Sequence, residues 1–166
     1  MSVAIPARPP FTLRARLLTP LPEGQTQWLP DGVIEVDQRG RIRSVRSAVD
    51  VPRAAEIAID LRPLVVMPGL VDTHMHIPQV PAAGLGAGMD LLAWLERYVF
   101  PLEHDFDVAA AHDLAPQVYR AMAAAGTTTF SGYAAIWPDS TDACFRAAEE
   151  HGIRATIGAV LMDRIT

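Results

Sequence analysis

The chain changes its hydrophobic grammar once, at Pro68-Gly69, and that change restricts its fold more than any other feature. Up to Val66, apolar residues fall at alternate positions, the period of a half-buried strand. "FTLRARLLTP" and "GVIEVDQRGRIRSVR" both alternate in this way, and Gly40 predicts a hairpin turn at "DQRGR". "EIAIDL" repeats the pattern, with Ile57 and Ile59 on one face. The expectation for this first segment is a small antiparallel β unit.

After Gly69 the pattern alternates between strand and helix. "LVDTHMHI" reads as a more continuously apolar strand. "MDLLAWLERYVF" reads as a helix, with Leu91, Leu92, Leu95, Tyr98 and Val99 at spacings of three and four. Asp107 is placed to cap a second helix through "VYRAMAAAG", which Pro116 should kink or delay. Gly126 stands where a helix end uses the left-handed conformation. "TTTFSGY" is β-branched and strand-like. Asp139, Ser140 or Thr141 would cap a third helix, "DACFRAAEEHG", and "IRATIGAVLMD" reads as a further strand. Strand, helices, strand, helix, strand is the order of parallel βα units, so the expected fold class is α/β.

Composition removes several function classes. Half of the 166 residues are hydrophobic, enough for a sizeable core. A net charge of -5 leaves no electrostatic footprint for nucleic acid. No apolar run is long enough to span a bilayer, and prolines and arginines break the amino terminus where a secretory signal would need a continuous apolar stretch. Cys144 is the only cysteine, which excludes an internal disulfide and fits a cytoplasmic location. A metal site in this sequence must therefore use histidine and carboxylate.

"VMPGLVDTHMHIPQ" supplies the candidates. Alternate strand residues share a face, so His74 and His76 should point together and offer two imidazoles to one divalent ion. A His-x-His pair alone is a weak signal, more often two structural histidines than a metal site. Gln79 carries both a donor and an acceptor, which suits the edge of a nucleobase as well as an ordinary loop. Asp72 reads as support for the strand end. His104 and His112 read as surface or capping groups, and His151 as a cation at a helix end. Asp163 reads as structural.

These residues carry a resemblance. "VDTHMHIPQ", then "LLAWLERYVFPLEHDF", "GTTTFSGYAAIWPDS" and "GIRATIGAVLMDR", in that order, resemble the guanine deaminase branch of the amidohydrolase superfamily. The most specific part is Trp-Leu-x-x-Tyr-x-Phe-Pro-x-Glu, Trp94 to Glu103. The resemblance implies a partial (β/α)8 TIM-type barrel, its first three βα units in 67–166, preceded in 1–66 by part of a small composite β-sandwich. It implies one Zn2+ per active site, with His74 and His76 as metal ligands. It further implies a substrate-contacting stretch at His76, Ile77, Pro78 and Gln79, with Gln79 as the base-reading amide. The implied reaction is hydrolysis of guanine to xanthine and ammonia, with guanine and water as partners, no nucleic acid or membrane, and a homodimer as the assembly to test in the intact protein.

The family's further metal ligands, purine-reading arginine and proton-shuttling glutamate lie on later strands. No catalytic residue is therefore assigned here, the glutamate being expected beyond Thr166. The expectation is an amino-terminal portion, inactive alone. Two alternatives stay open: another aminohydrolase of the superfamily acting on a purine, pterin or triazine, and a catalytically silent fragment with only an interaction or structural role.

Overall fold

The computed structural model describes residues 8–162. The chain forms two compact units, Met1–Pro68 and Gly69–Thr166.

The first unit is built on a four-stranded sheet of β1 (Phe11–Pro20), β2 (Thr26–Val36), β3 (Ile42–Ser47) and β4 (Ile59–Val66), in the order β3-β2-β1-β4. The hairpin between β2 and β3 falls where Gly40 predicts it. The Asp37 carboxylate accepts from the backbone N–H groups of Arg39 and Arg41 across that turn. Leu13, Ala15, Leu17, Ile34 and Leu61 pack into one cluster. Val33, next to Ile34 and so on the opposite face, packs into a second cluster with Ala48, Val51 and Ala55.

"EIAIDL" departs from the expectation. Ile57 ends a short helix, α1 (Pro52–Ile57), and is mostly exposed, while Ile59 opens β4. Pro52 occupies the first helical turn, where its fixed φ favours helix and its missing N–H costs nothing. The helix is a crossover, and a crossover permits parallel pairing. Thus β4 runs parallel to β1, and the sheet is mixed rather than purely antiparallel.

The second unit holds three parallel strands in the order β5-β6-β7: β5 (Leu70–His76), β6 (Thr127–Tyr133) and β7 (Arg154–Gly158). Between β5 and β6 the chain forms α2 (Leu91–Trp94), a π-helical turn over Leu95–Val99, α3 (Phe100–His104) and α4 (Val108–Ala124). Between β6 and β7 lies α5 (Pro138–Glu150). Asp107 caps α4 as expected, its carboxylate accepting from Ala110 N–H at 2.9 Å. Pro116 lies within α4 without ending it, forgoing only the bond its amide would have made to the His112 carbonyl. The face that carries Ala111, Ala115, Val118 and Tyr119 into the core compensates for that loss. Gly126 has φ +90°, the left-handed stop a side chain would disfavour.

Helix α5 starts at Pro138 with Trp137 as its cap, so none of Asp139, Ser140 or Thr141 caps it. Proline at the first position sets the start instead. Ser140 donates to the Trp137 carbonyl at 2.8 Å, and the Trp137 indole N–H donates to the His104 carbonyl at 2.8 Å. Phe130, Ile153 and Ile157 meet the buried faces of α4 and α5 in one core. Inside it, the Tyr119 hydroxyl donates to the Cys144 carbonyl at 3.1 Å. Burial pushes the Cys144 thiol up to about 12, so it is an inert core group. Asp163 lies outside the described residues.

Candidate active site

The site begins with a bulge. Between Asp72 and Met75, β5 uses one more residue than β6 to reach the next pair, so simple alternation is interrupted there. Met75 turns to the hydrophobic core, while His74 and His76 come together with ring centroids 5.3 Å apart. The Asp72 carboxylate accepts from His74 N–H at 3.0 Å and holds the bulged backbone. Tyr133, paired with His76 across the ladder, places its ring 4.9 Å from the His76 ring and 6.1 Å from that of His74.

The room for this bulge comes from Gly132. A Cβ at that position would meet the Met75 carbonyl oxygen and Met75 Cγ, each at 2.8 Å. The two strands approach this closely only because position 132 has no side chain.

Beyond His76 the chain turns through a 3-10 segment, Ile77–Ala82. The side chains of Ile77 and Pro78 are fully buried, Ile77 in the core of the unit. Of the four residues expected to meet substrate, His76 and Gln79 therefore carry the polar groups, and Ile77 and Pro78 fix the course of the chain between them. Gln79 is half-buried.

What joins His76 to Gln79 is Glu103. Its Oε1 accepts from His76 Nδ1 at 3.1 Å and from Gln79 Nε2 at 2.7 Å. Glu103 is 3% exposed. It reaches this place through the π-helical turn, in which Phe100 N–H bonds to the Leu95 carbonyl five residues back. Pro101 follows at once, where its ring and missing N–H disfavour continuous α-helix. Val99 and Glu103, four residues apart on one helical face, are both buried.

Sequence reasoning missed Glu103 and Tyr133 as members of the site. The signal available for Glu103 was an acidic residue on the same helical face as Val99. Tyr133 ends a strand that must pair beside the histidines. The remaining histidines lie elsewhere in the unit: His104 Nδ1 meets Asp105 at 2.8 Å, and His151 Nδ1 donates to the Ala147 carbonyl at 3.0 Å.

The arrangement has the chemistry for a metal ligand pair. His76 donates its Nδ1 hydrogen to the Glu103 carboxylate, which leaves Nε2 as the lone-pair atom, a hydrogen-bonding pattern common to metal-binding histidines. Beyond its backbone bond to Asp72, His74 makes no side-chain hydrogen bond among the described residues, so its ring nitrogens are open to a ligand. Among the described residues no group of three or more His, Cys, Asp or Glu is arranged to hold an ion, and two imidazoles could fill only half of a tetrahedral set.

A sequence profile described as "Amidohydrolase family" matches residues 65–165. Guanine deaminase of Dictyostelium discoideum is 33% identical over 158 residues, covering 85% of this chain and 35% of that protein. The solved structure of E. coli guanine deaminase superposes with a TM-score of 0.79 at 28% identity, over 93% of this chain and 38% of that one. Guanine deaminase from C. acetobutylicum, solved with guanine bound in its active site, superposes with a TM-score of 0.76 at 28% identity, over 89% of this chain and 35% of that one. The chain spans about a third of the length of the curated relatives it matches.

Proposed function

Since the chain belongs to the amidohydrolase family, we propose that it supplies the first part of a zinc-dependent enzyme that hydrolyses guanine to xanthine and ammonia. In this reading the three parallel strands open a (β/α)8 barrel, and the four-stranded sheet belongs to a β-sandwich. His74 and His76 would hold zinc, which when bound lowers the pKa of a water toward neutrality. The stretch from His76 to Gln79 would meet the purine, with the Gln79 amide reading its edge.

One observation carries this reading: a single buried carboxylate, Glu103, bonds both the His76 imidazole and the Gln79 amide, and the His74 ring lies 5.3 Å from that of His76. Each chain group has a defined task. His74 and His76 present ring nitrogens, Asp72 holds the bulge, and Tyr133 flanks both rings. Ile77 and Pro78, packed into the interior, keep Gln79 at a fixed distance from the histidines.

The test is a chimera in which residues 69–166 replace the matching stretch of the E. coli relative. Zinc-dependent conversion of guanine to xanthine that disappears on His76→Ala supports the reading. A folded, zinc-loaded chimera that leaves guanine intact overturns it.

A further inference from the structure

We propose that Glu103 is the positioning residue of this site: one carboxylate oxygen sets both the tautomer of His76 and the orientation of the Gln79 amide. The inference rests on the reading of His76 as a metal ligand and Gln79 as a substrate reader. It assigns the agent that makes each of them competent.

The starting point is an expensive burial. Glu103 and Ser140 are the buried polar residues among the described ones. Ser140 is satisfied within its own helix start. Glu103 is a carboxylate in the interior, and such a group persists only when hydrogen-bond donors meet it. Both donors come from the candidate site, 27 and 24 residues away in sequence, and both meet the same atom. Glu103 bonds the two side chains that carry the proposed chemistry.

The consequences follow from what each group can donate. A carboxylate oxygen offers lone pairs, so His76 must place its hydrogen on Nδ1 and leave Nε2 bare. In a neutral imidazole the other tautomer would put a hydrogen where a metal has to bind. The same oxygen takes the Gln79 Nε2 hydrogen, which fixes the nitrogen end of that amide inward and turns Oε1 outward as an acceptor. A free glutamine could present either end. Held by Glu103, Gln79 offers a lone pair and so favours a substrate edge that carries an N–H. Because both bonds end on one atom, ligand and reader are set as a unit.

The test uses the 166-residue chain with 15N-labelled histidine and glutamine, and zinc chloride as the metal probe. In the unsubstituted chain, with the imidazole neutral, His76 should show the Nδ1–H tautomer, and the Gln79 side-chain amide should be protected from exchange. Glu103→Leu should move His76 toward the Nε2–H form, release the Gln79 amide to solvent-like exchange and weaken zinc binding roughly ten- to a hundredfold. Glu103→Gln fills the same space and keeps one acceptor without the charge, so its zinc affinity should fall between the two.

Unchanged His76 and Gln79 signals in a folded Glu103→Leu chain would overturn the proposal. If the leucine variant does not fold, Glu103→Gln decides alone. Shifted His76 ring-nitrogen signals would support the assignment and unshifted ones would refute it. The two spectroscopic signatures need no metal. If His76→Ala leaves zinc binding unaltered, the metal reading fails, while the tautomer result still answers for Glu103.

Discussion

The polar side chains of the two units are arranged on opposite principles. On the four-stranded sheet, charges meet charges. Arg14 grips Asp31 through two bonds of 2.7 and 2.6 Å, Arg62 joins Asp31 to Asp60, and Arg46 with Ser44 meets Glu35. In the second unit, one buried carboxylate on α3 serves two side-chain donors, and their outer atoms are left available. A network that satisfies itself can hold structure and has little left to offer a ligand. The site in the second unit instead keeps unshared lone pairs on His74, His76 and Gln79 at one place. Closed networks stabilise; open ones bind.

Substitutions should separate the two kinds. The largest effect is expected from His74→Ala combined with His76→Ala. Zinc binding measured by calorimetry should weaken by roughly a hundredfold or more, since both imidazole donors are gone. Unfolding by urea should shift by about 1–3 kcal/mol, because the buried Glu103 carboxylate loses one of its two donors. A large loss of stability with zinc binding intact would make these histidines structural and dissolve the contrast.

Gly132→Val is the next test, because it attacks the frame rather than the donors. Its Cβ would press on the Met75 carbonyl, a backbone atom that cannot swing aside. Overpacking of this kind costs about 1–3 kcal/mol. Zinc binding should weaken as well, because His76 directly follows the displaced residue. Urea melts and zinc titration on the same variant read both effects, and unaltered zinc affinity would show that the bulge does not aim the histidines.

Asp107→Ala should cost about 1 kcal/mol, the usual value of a lost helix cap, with zinc affinity unchanged. This variant calibrates the comparison, for it removes a polar bond from the same unit without touching the site.

The smallest effect is expected from acid on the first unit. The Arg14 guanidinium bonded to Asp31, the Arg62 guanidinium bonded to Asp60, and Ser44 with Arg46 at Glu35 hold these carboxyls below the usual carboxylate range. Their folded values lie below the unfolded ones, so the stability they contribute is present above about pH 4 and is lost as pH falls through the folded values. Exposure and salt keep that contribution modest. Asp60→Asn should flatten the acid limb of a circular-dichroism stability curve and leave zinc binding untouched. An identical acid limb in the variant would show that Asp60 carries none of this dependence.

Much of the framework was legible because it is encoded locally. Alternation marked β1 and the β2–β3 hairpin, β-branched residues marked β6, and Asp107 and Gly126 marked the two ends of α4. The close spacing of His74 and His76 was also in plain view. The misreadings arose where local signals conflict. "EIAIDL" alternates like a strand, yet Pro52 and the alanines before it carry the helix as far as Ile57. Asp139, Ser140 and Thr141 are all good caps, and Pro138 started the helix before any of them could act.

By itself, then, the sequence determined what neighbouring residues decide among themselves: strand periods, caps, and a pair of imidazoles one residue apart. Tertiary structure alone decided that β4 would lie parallel to β1, that a bulge against Gly132 would set the histidines beside Tyr133, and that Glu103 would reach back across 27 residues to His76. The reason is physical. A period or a cap is fixed by torsion angles and bonds within a few residues. A buried carboxylate is fixed by which distant donors the packed chain brings to it, and the same Glu103 on a solvent-facing helix would have met only water.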